Sequence, residues 1–231
     1  MNATSRQRST RDRPAKAPLS EAGVVDTALA LLQAEGLGAV TMRRVATALD
    51  TGPSSLYVYV SGRESLIHAM QDRVFATVEL ETPDPARWRE QLHSLLTRLR
   101  QALADHPGIA ATIIAEAPGT EATLLYTENL LGILLAGGLD PQDAAWATDI
   151  FAVVVTHAAA EADARRTGSA EQADTNRRTF AGVSPERFPL ITAHADRLVA
   201  GDAEQRFRVT VDVVIDGLLA RTKNAGPHTV R

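Results

Sequence analysis

There is no cysteine in this 231-residue chain, and that absence removes a disulfide framework, a thiolate metal site and a cysteine nucleophile together. Aromatic residues are scarce as well, 4% of the sequence against 45% hydrophobic residues overall. A hydrophobic content so rich in Ala and Leu, with so few rings, favours an all-α protein over a sheet protein. Long apolar runs are missing: the longest, over 130–139 and 150–160, are too short and too interrupted to span a bilayer. The polar, basic start lacks the apolar segment of a secretory signal, so the expectation is a cytoplasmic protein with no membrane partner. Catalytic signatures are absent too: there is no HExxH spacing, no glycine-rich phosphate loop and no serine in a nucleophile elbow. Glu161, Asp163, His157, Asp212 and Asp216 offer acid–base groups to a rival enzyme reading. Asp212 and Asp216, spaced i, i+4 near Arg208, are more simply a solvated edge. The expectation is therefore no enzyme, no cofactor and no metal.

What is present is unevenly distributed. The net charge of −4 hides a split: residues 1–73 hold nine Lys/Arg against seven Asp/Glu, a net of +2, and the remainder hold 15 against 21, a net of −6. Such asymmetry points to a nucleic-acid-facing end and a far end of a different kind. Residues 1–18 are rich in Ser, Thr, Arg and Pro, lack an apolar period and set five basic residues against Asp12. They read as a disordered basic arm that either tracks DNA phosphates or serves as a solubilising tail.

The stretch from 20 to 70 organises the chain. A first helix starts at Ser20, with Leu19 and Val24 as a staple, buries Val24, Val25, Ala28, Leu31 and Leu32, and ends at Gly36. Residues 41–49 form a second, short amphipathic helix capped by Thr41 and stapled by Val40 and Val45. Asp50-Thr51-Gly52-Pro53 breaks it, and a segment of about seven residues, 53–59, follows before Ser61 and Glu64, spaced as a capping box, open a fourth helix over 61–80. A segment that short is helical only when its neighbours hold it. Two small helices joined by a tight turn are the helix-turn-helix pattern, whose second helix enters the DNA major groove.

Leu32-Gln-Ala-Glu-Gly36, Val40-Thr-Met-Arg-Arg-Val-Ala46, Ser55-Leu-Tyr-Val-Tyr-Val60 and Arg63-Glu-Ser-Leu-Ile67 resemble, in order and separation, the DNA-binding domain of tetracycline-repressor-type (TetR-type) transcriptional regulators. Asp50 stands where the family usually has Gly, and Val60 where an aromatic is common. The second half is similar to the C-terminal domain of the tetracycline-repressor branch, through Trp88 and its Leu-rich helix, Arg187-Phe188-Pro189-Leu190, and Arg206 to Leu218. Further helices are expected at 86–104, 107–115, 120–136, 141–166, 185–199 and 203–221, with a polar loop over 167–182 and a frayed tail after 222. The organisation implied is a basic arm (1–18), a three-helix DNA-binding domain with its connecting helix (19–80), a larger helical ligand-binding and dimerisation domain (81–222) and a tail (223–231).

The resemblance implies three partners: a double-stranded DNA operator, a small-molecule effector and a second copy of the chain. Dimerisation would use a four-helix bundle built from the helices holding 150–157 and 207–219. The stripe Phe207, Val211, Val214, Ile215 and Leu218 is offered to that bundle, or else to the core of one chain. On the DNA face, Thr41 presents a hydroxyl beside free N–H groups, Arg43 matches a phosphate- or base-contacting position, and Ser54 and Ser55 stand within reach of the groove. Tyr57 and Tyr59 bring hydroxyls for phosphate, and Arg63 matches a family Lys that grips the backbone. Between 53 and 59 there is no Arg, Lys, Asn or Gln for bidentate base pairing. For the effector, the drug-contacting positions of the fifth helix fall on Leu95 and Leu99 and the metal histidine near Thr112. A tetracycline–magnesium site is thereby lost, and an apolar ligand is expected. Thr112, Glu116, Tyr126, Trp146, His157 and Glu161 are the polar and aromatic candidates beside those leucines, with His157 and Glu161 on one face at i, i+4. A helix-turn-helix protein that answers to no ligand is the alternative.

Overall fold

The computed structural model of the protein describes residues 18–113, 119–166, 175 and 178–224, and among these every regular element is a helix. Helix α1, Glu21–Glu35, begins where Ser20 Oγ accepts the Gly23 N–H at 3.2 Å. It stops at Gly36, whose φ of 79° turns its N–H back to the Leu32 carbonyl. A short 3-10 turn, Leu37–Ala39, leads into α2, Met42–Ala48, capped by Thr41 Oγ1 on the Arg44 N–H. The chain then passes through Asp50 at φ 50°, a left-handed conformation that Asp tolerates better than most non-glycine residues. Pro53 opens α3, Pro53–Leu56, at its first helical position.

Two expectations shift here. Helix α3 is a single turn rather than 53–59, because the N–H groups of Tyr59 and Val60 both converge on the Leu56 carbonyl, at 2.9 and 3.0 Å. Helix α4, Arg63–Phe75, takes Gly62 as its cap, so the Ser61/Glu64 capping box does not form. It also ends five residues short of Leu80. The Thr77 hydroxyl donates to the Val74 carbonyl at 2.7 Å, competing with the helical pattern, and Val78 turns inward and is buried. The segment that follows is extended and pinned. Arg98 donates to the Glu79 carbonyl (3.0 Å) and the Glu81 carboxylate (2.8 Å), Asn129 to the Glu81 carbonyl (2.7 Å), and Gln91 to the Thr82 carbonyl (2.8 Å).

Beyond this crossing lie α5, Trp88–Ala104; α6, Ala110–Ile113; α7, Glu121–Ala136; α8, Pro141–Arg166; α9, Pro189–Leu198; and α10, Ala203–Asn224. Helix α8 keeps its expected bounds, α9 starts four residues late, and α10 runs three residues past Arg221. Residues 178–181, expected as loop, are helical. The rest of the expected loop, apart from 175 and 182, and the basic arm up to residue 17 lie outside the described residues. Helix α5 is the hub, packed on α4, α7 and α8; α8 in turn packs on α6, α7 and α10. One apolar core runs unbroken from Val24 to Leu218. Trp88 lies flat against Gly137, so close that a Cβ there would stand 2.5 Å from the ring.

The stripe offered to a dimer bundle or to the core of one chain takes the second course in four of its five residues, Val214 being half-buried. Phe207, Val211, Ile215 and Leu218 are all buried within the single chain, beside the buried Phe151, Val155 and Ala159 of α8. The apolar residues left outside are others: Trp146, Ile150 and Val153 on α8, and Val209 and Val213 on α10.

Candidate functional site

The candidate DNA-facing side is made by α2, the Asp50 turn and α3. Arg43 and Ser54 are exposed, Ser55 is half-buried, and Tyr57 projects outward at 55% exposure. Thr41 is half-buried and its hydroxyl is spent on the α2 cap. Arg44 is held by Glu35 at 2.6 Å, away from the groove-reading edge. Tyr59 points the other way from Tyr57: its hydroxyl donates its proton to the Leu19 carbonyl at 2.7 Å, so that proton is not available to a phosphate. Arg63 is exposed but tied down within the chain, with Nε on the Val40 carbonyl (2.9 Å) and a terminal nitrogen on the Leu37 carbonyl (3.2 Å). Both residues therefore brace the helix-turn-helix: Tyr59 ties the end of α3 to the start of α1, and Arg63 ties α4 to the entry of α2. Sequence reasoning passed over Val58. It is 80% exposed between the two tyrosines, where an apolar side chain can meet a thymine methyl.

A cavity of about 380 Å³ lies among α4, α5, α6, α7 and α8, open at one edge. Phe75, Leu99, Leu103, Ile113 and Leu130 supply apolar wall. Phe75 and Tyr126 meet edge to face, centroids 5.3 Å apart at 82°. The Tyr126 hydroxyl is buried without a hydrogen-bond partner among the described residues, and burial pushes this phenol well above the ordinary tyrosine range. Gln71 lines the cavity from α4 and donates to Thr112 at 2.9 Å, while Thr112 donates on to the Ile109 carbonyl at 2.7 Å. Asp72, one residue on, accepts the Ala122 N–H at 2.8 Å, joining α4 to the start of α7.

The expected ligand residues divide accordingly. Leu99 and Tyr126 line the cavity, Thr112 stands directly behind Gln71, and Leu95 is buried nearby in the core. Three do not belong to it. Trp146 faces outward with Arg221 over its ring, His157 is exposed, and Glu161 is paired with Arg206 at 3.7 Å. A 26-residue helix shows several faces, and His157 and Glu161 share one that turns from the cavity. Glu116 lies outside the described residues. Gln71, Phe75 and Asp149 were missed; the first two sit on the helix read only as a connector, and its apolar spacing was the available signal.

A second depression, between α5 and α10, is polar: His93 meets Asp212 at 2.8 Å, Arg89 pairs with Asp212 and Asp216, and Arg100 with Glu204. It is a cross-helix salt-bridge seam, and it absorbs the Asp212 and Asp216 of the rival acid–base set. Among the described residues there is no cluster of three or more His, Asp or Glu placed to hold a metal, and no helix long and apolar enough to cross a membrane.

A helix-turn-helix at the N-terminus, carried on a larger helical domain, is the architecture of a DNA-binding transcriptional regulator. Residues 24–70 match the family described as bacterial regulatory proteins, tetR family, and residues 82–222 match the tetracyclin repressor-like C-terminal domain. The chain belongs to the TetR family, whose members regulate transcription and are not enzymes. It is similar to ActR of Streptomyces coelicolor. Against that protein in complex with (S)-DNPA it is 33% identical, covering 88% of this chain and 98% of that one with a TM-score of 0.80. Against the complex with actinorhodin it is 34% identical, covering 89% and 99% with a TM-score of 0.81. An HTH-type transcriptional repressor of Mycobacterium tuberculosis is 26% identical over 96% of this chain and 90% of its own length. The similarity to an HTH-type transcriptional regulator of Saccharopolyspora erythraea, 29% identical, spans 54% of this chain and 53% of that protein.

Proposed function

We propose that the protein is a repressor that binds a two-fold symmetric operator as a homodimer and is released when a small molecule occupies the cavity among α4 to α8. The observation that carries this reading is the double use of α4. Its first residue, Arg63, is hydrogen-bonded to the carbonyls of Val40 and Leu37 beside the helix-turn-helix, while Gln71 and Phe75 form cavity wall. A ligand pressing on Gln71 and Phe75 acts on the same rigid element that orients α2 and α3. The two recognition helices of a dimer must sit about one DNA turn apart, roughly 34–36 Å. A ligand that favours a mis-spaced arrangement by about 1–3 kcal/mol lowers DNA affinity roughly 5–150-fold. That the similar ActR has been solved with actinorhodin and with (S)-DNPA supports a small-molecule role for the cavity.

On the DNA side, Arg43, Ser54, Ser55, Tyr57 and Val58 form the reading surface, and Thr41 lies beside the free N–H groups of α2, where a phosphate fits. Tyr59 and Arg63 set its shape. The exposed apolar residues Ile150, Val153, Val209 and Val213, with Trp146, provide the dimer surface in place of the buried stripe. The test is selection of bound fragments from a random DNA library, followed by titration of a cavity ligand into the protein–operator complex. A half-site repeated about a two-fold axis and release on ligand addition are expected. Enrichment of no sequence at low salt would overturn the DNA reading; a bound ligand that leaves DNA affinity unchanged would overturn the sensor reading and favour the ligand-independent alternative.

A further inference from the structure

We propose that the cavity selects ligands that combine an apolar ring system, a hydrogen-bond acceptor and a protonated amine, and that it discriminates against carboxylates. The inference rests on the cavity being the effector site. Three observations define the ligand. First, Tyr126 is buried and its hydroxyl has no partner among the described residues, so a ligand oxygen placed against it would accept its proton. Second, the Phe75 ring stands edge-on to Tyr126, and Leu99, Leu103 and Leu130 also line the cavity, an apolar wall that suits a flat ring face.

Third, the charge lining the cavity is of one sign. Asp149 of α8 stands at its open edge and makes no hydrogen bond or ion pair among the described residues. Three carboxylates elsewhere are paired, Asp143 with Arg221, Asp212 with Arg89 and His93, and Glu81 with Arg98. Arg221 shares a shallow surface depression with Asp149, but it is directed to Asp143 at 3.3 Å and lies over the Trp146 ring. Among the described residues no Lys, Arg or His lines the cavity. A ligand carboxylate at that edge would meet the like charge of Asp149 with no cation beside it, whereas an ammonium would gain a charged hydrogen bond.

The probes are three anthraquinones bearing an aminomethyl, a hydroxymethyl or a carboxylate group at the same ring position; each presents ring carbonyls to Tyr126. Binding is measured by calorimetry on the full chain, and the neutral dye N-phenylnaphthylamine reports on the cavity itself. The aminomethyl probe should bind about tenfold tighter than the hydroxymethyl one, the difference a charged hydrogen bond produces, with the carboxylate weakest. Asp149→Asn should abolish the preference for the cation and leave dye uptake unchanged. Equal affinity for the cationic and neutral probes, or a preference that survives Asp149→Asn, overturns the selectivity while dye uptake leaves the cavity standing. Absence of dye uptake, or uptake that persists in Ala152→Trp at the cavity edge, overturns the effector-site reading and the selectivity with it.

Discussion

Arg43 and Arg63 are both cations of the DNA-binding domain, and their surroundings give them different work. Both are exposed, but Arg63 spends two nitrogens on the carbonyls of Val40 and Leu37. Arg63→Ala should cost about 1–2 kcal/mol in chemical denaturation, as two hydrogen bonds go, and weaken DNA binding without changing its salt dependence. Arg43→Ala should leave stability unchanged and lower the slope of log affinity against log salt by about one, if it neutralises one phosphate. The sequence could show that both were basic but not which was braced, since a partner 23 or 26 residues away is invisible to local pattern. The two tyrosines are the same case. Tyr57 and Tyr59 lie in a turn with no helical period, so their opposite directions follow from Leu19 and not from spacing. Tyr126 makes a prediction in pH. Its folded pKa is raised by burial above the unfolded value of about 10. The folded state's advantage is therefore full below about pH 10 and is lost as pH rises towards the raised folded value. Tyr126→Phe should lose less stability than the parent between neutral pH and the alkaline end of a denaturation series.

At the scale of elements, caps and breakers were legible where one residue decides them. Ser20, Thr41, Gly36 and Pro53 placed the ends of α1, α2 and α3 because each acts through its own backbone or hydroxyl. The end of α4 was not legible, because Thr77 and Val78 leave the helix for a tertiary reason, the burial of Val78. The apolar stripe of α10 was visible, but the same helix also exposes Val209 and Val213, and periodicity cannot say which face meets a neighbour within the chain. Trp88 and Gly137 show a helix contact fixed by the lack of a side chain. Gly137→Ala forces the indole away from the end of α7, since the added carbon would lie 2.5 Å from the ring. The expected cost is about 1–3 kcal/mol, as for other overpacked sites, read as a lower midpoint in urea together with a shift in tryptophan fluorescence.

At the scale of the molecule, the all-helical class and the place of the regulatory half were readable from composition, punctuation and family resemblance. The cavity was only partly so, since it collects single residues from five helices. The proposed dimer surface has a direct check: Val213→Glu should shift the sedimenting species from dimer to monomer and abolish tight operator binding, while leaving the circular dichroism of the helices intact. Val213 is 66% exposed, so the substitution disturbs no core. The crossing between α4 and α5 has a consequence of another kind. Between Glu79 and Asp84 the main chain is gripped at the carbonyls of Glu79, Glu81 and Thr82 by Arg98, Asn129 and Gln91 in turn and carries Pro83 against Gly132. A protease needs a stretch of backbone it can pull into its own cleft as an extended substrate, and here that stretch is already claimed. The DNA-reading half is thus not a detachable module: nicking at this seam would have to wait until the helices that hold it had come apart.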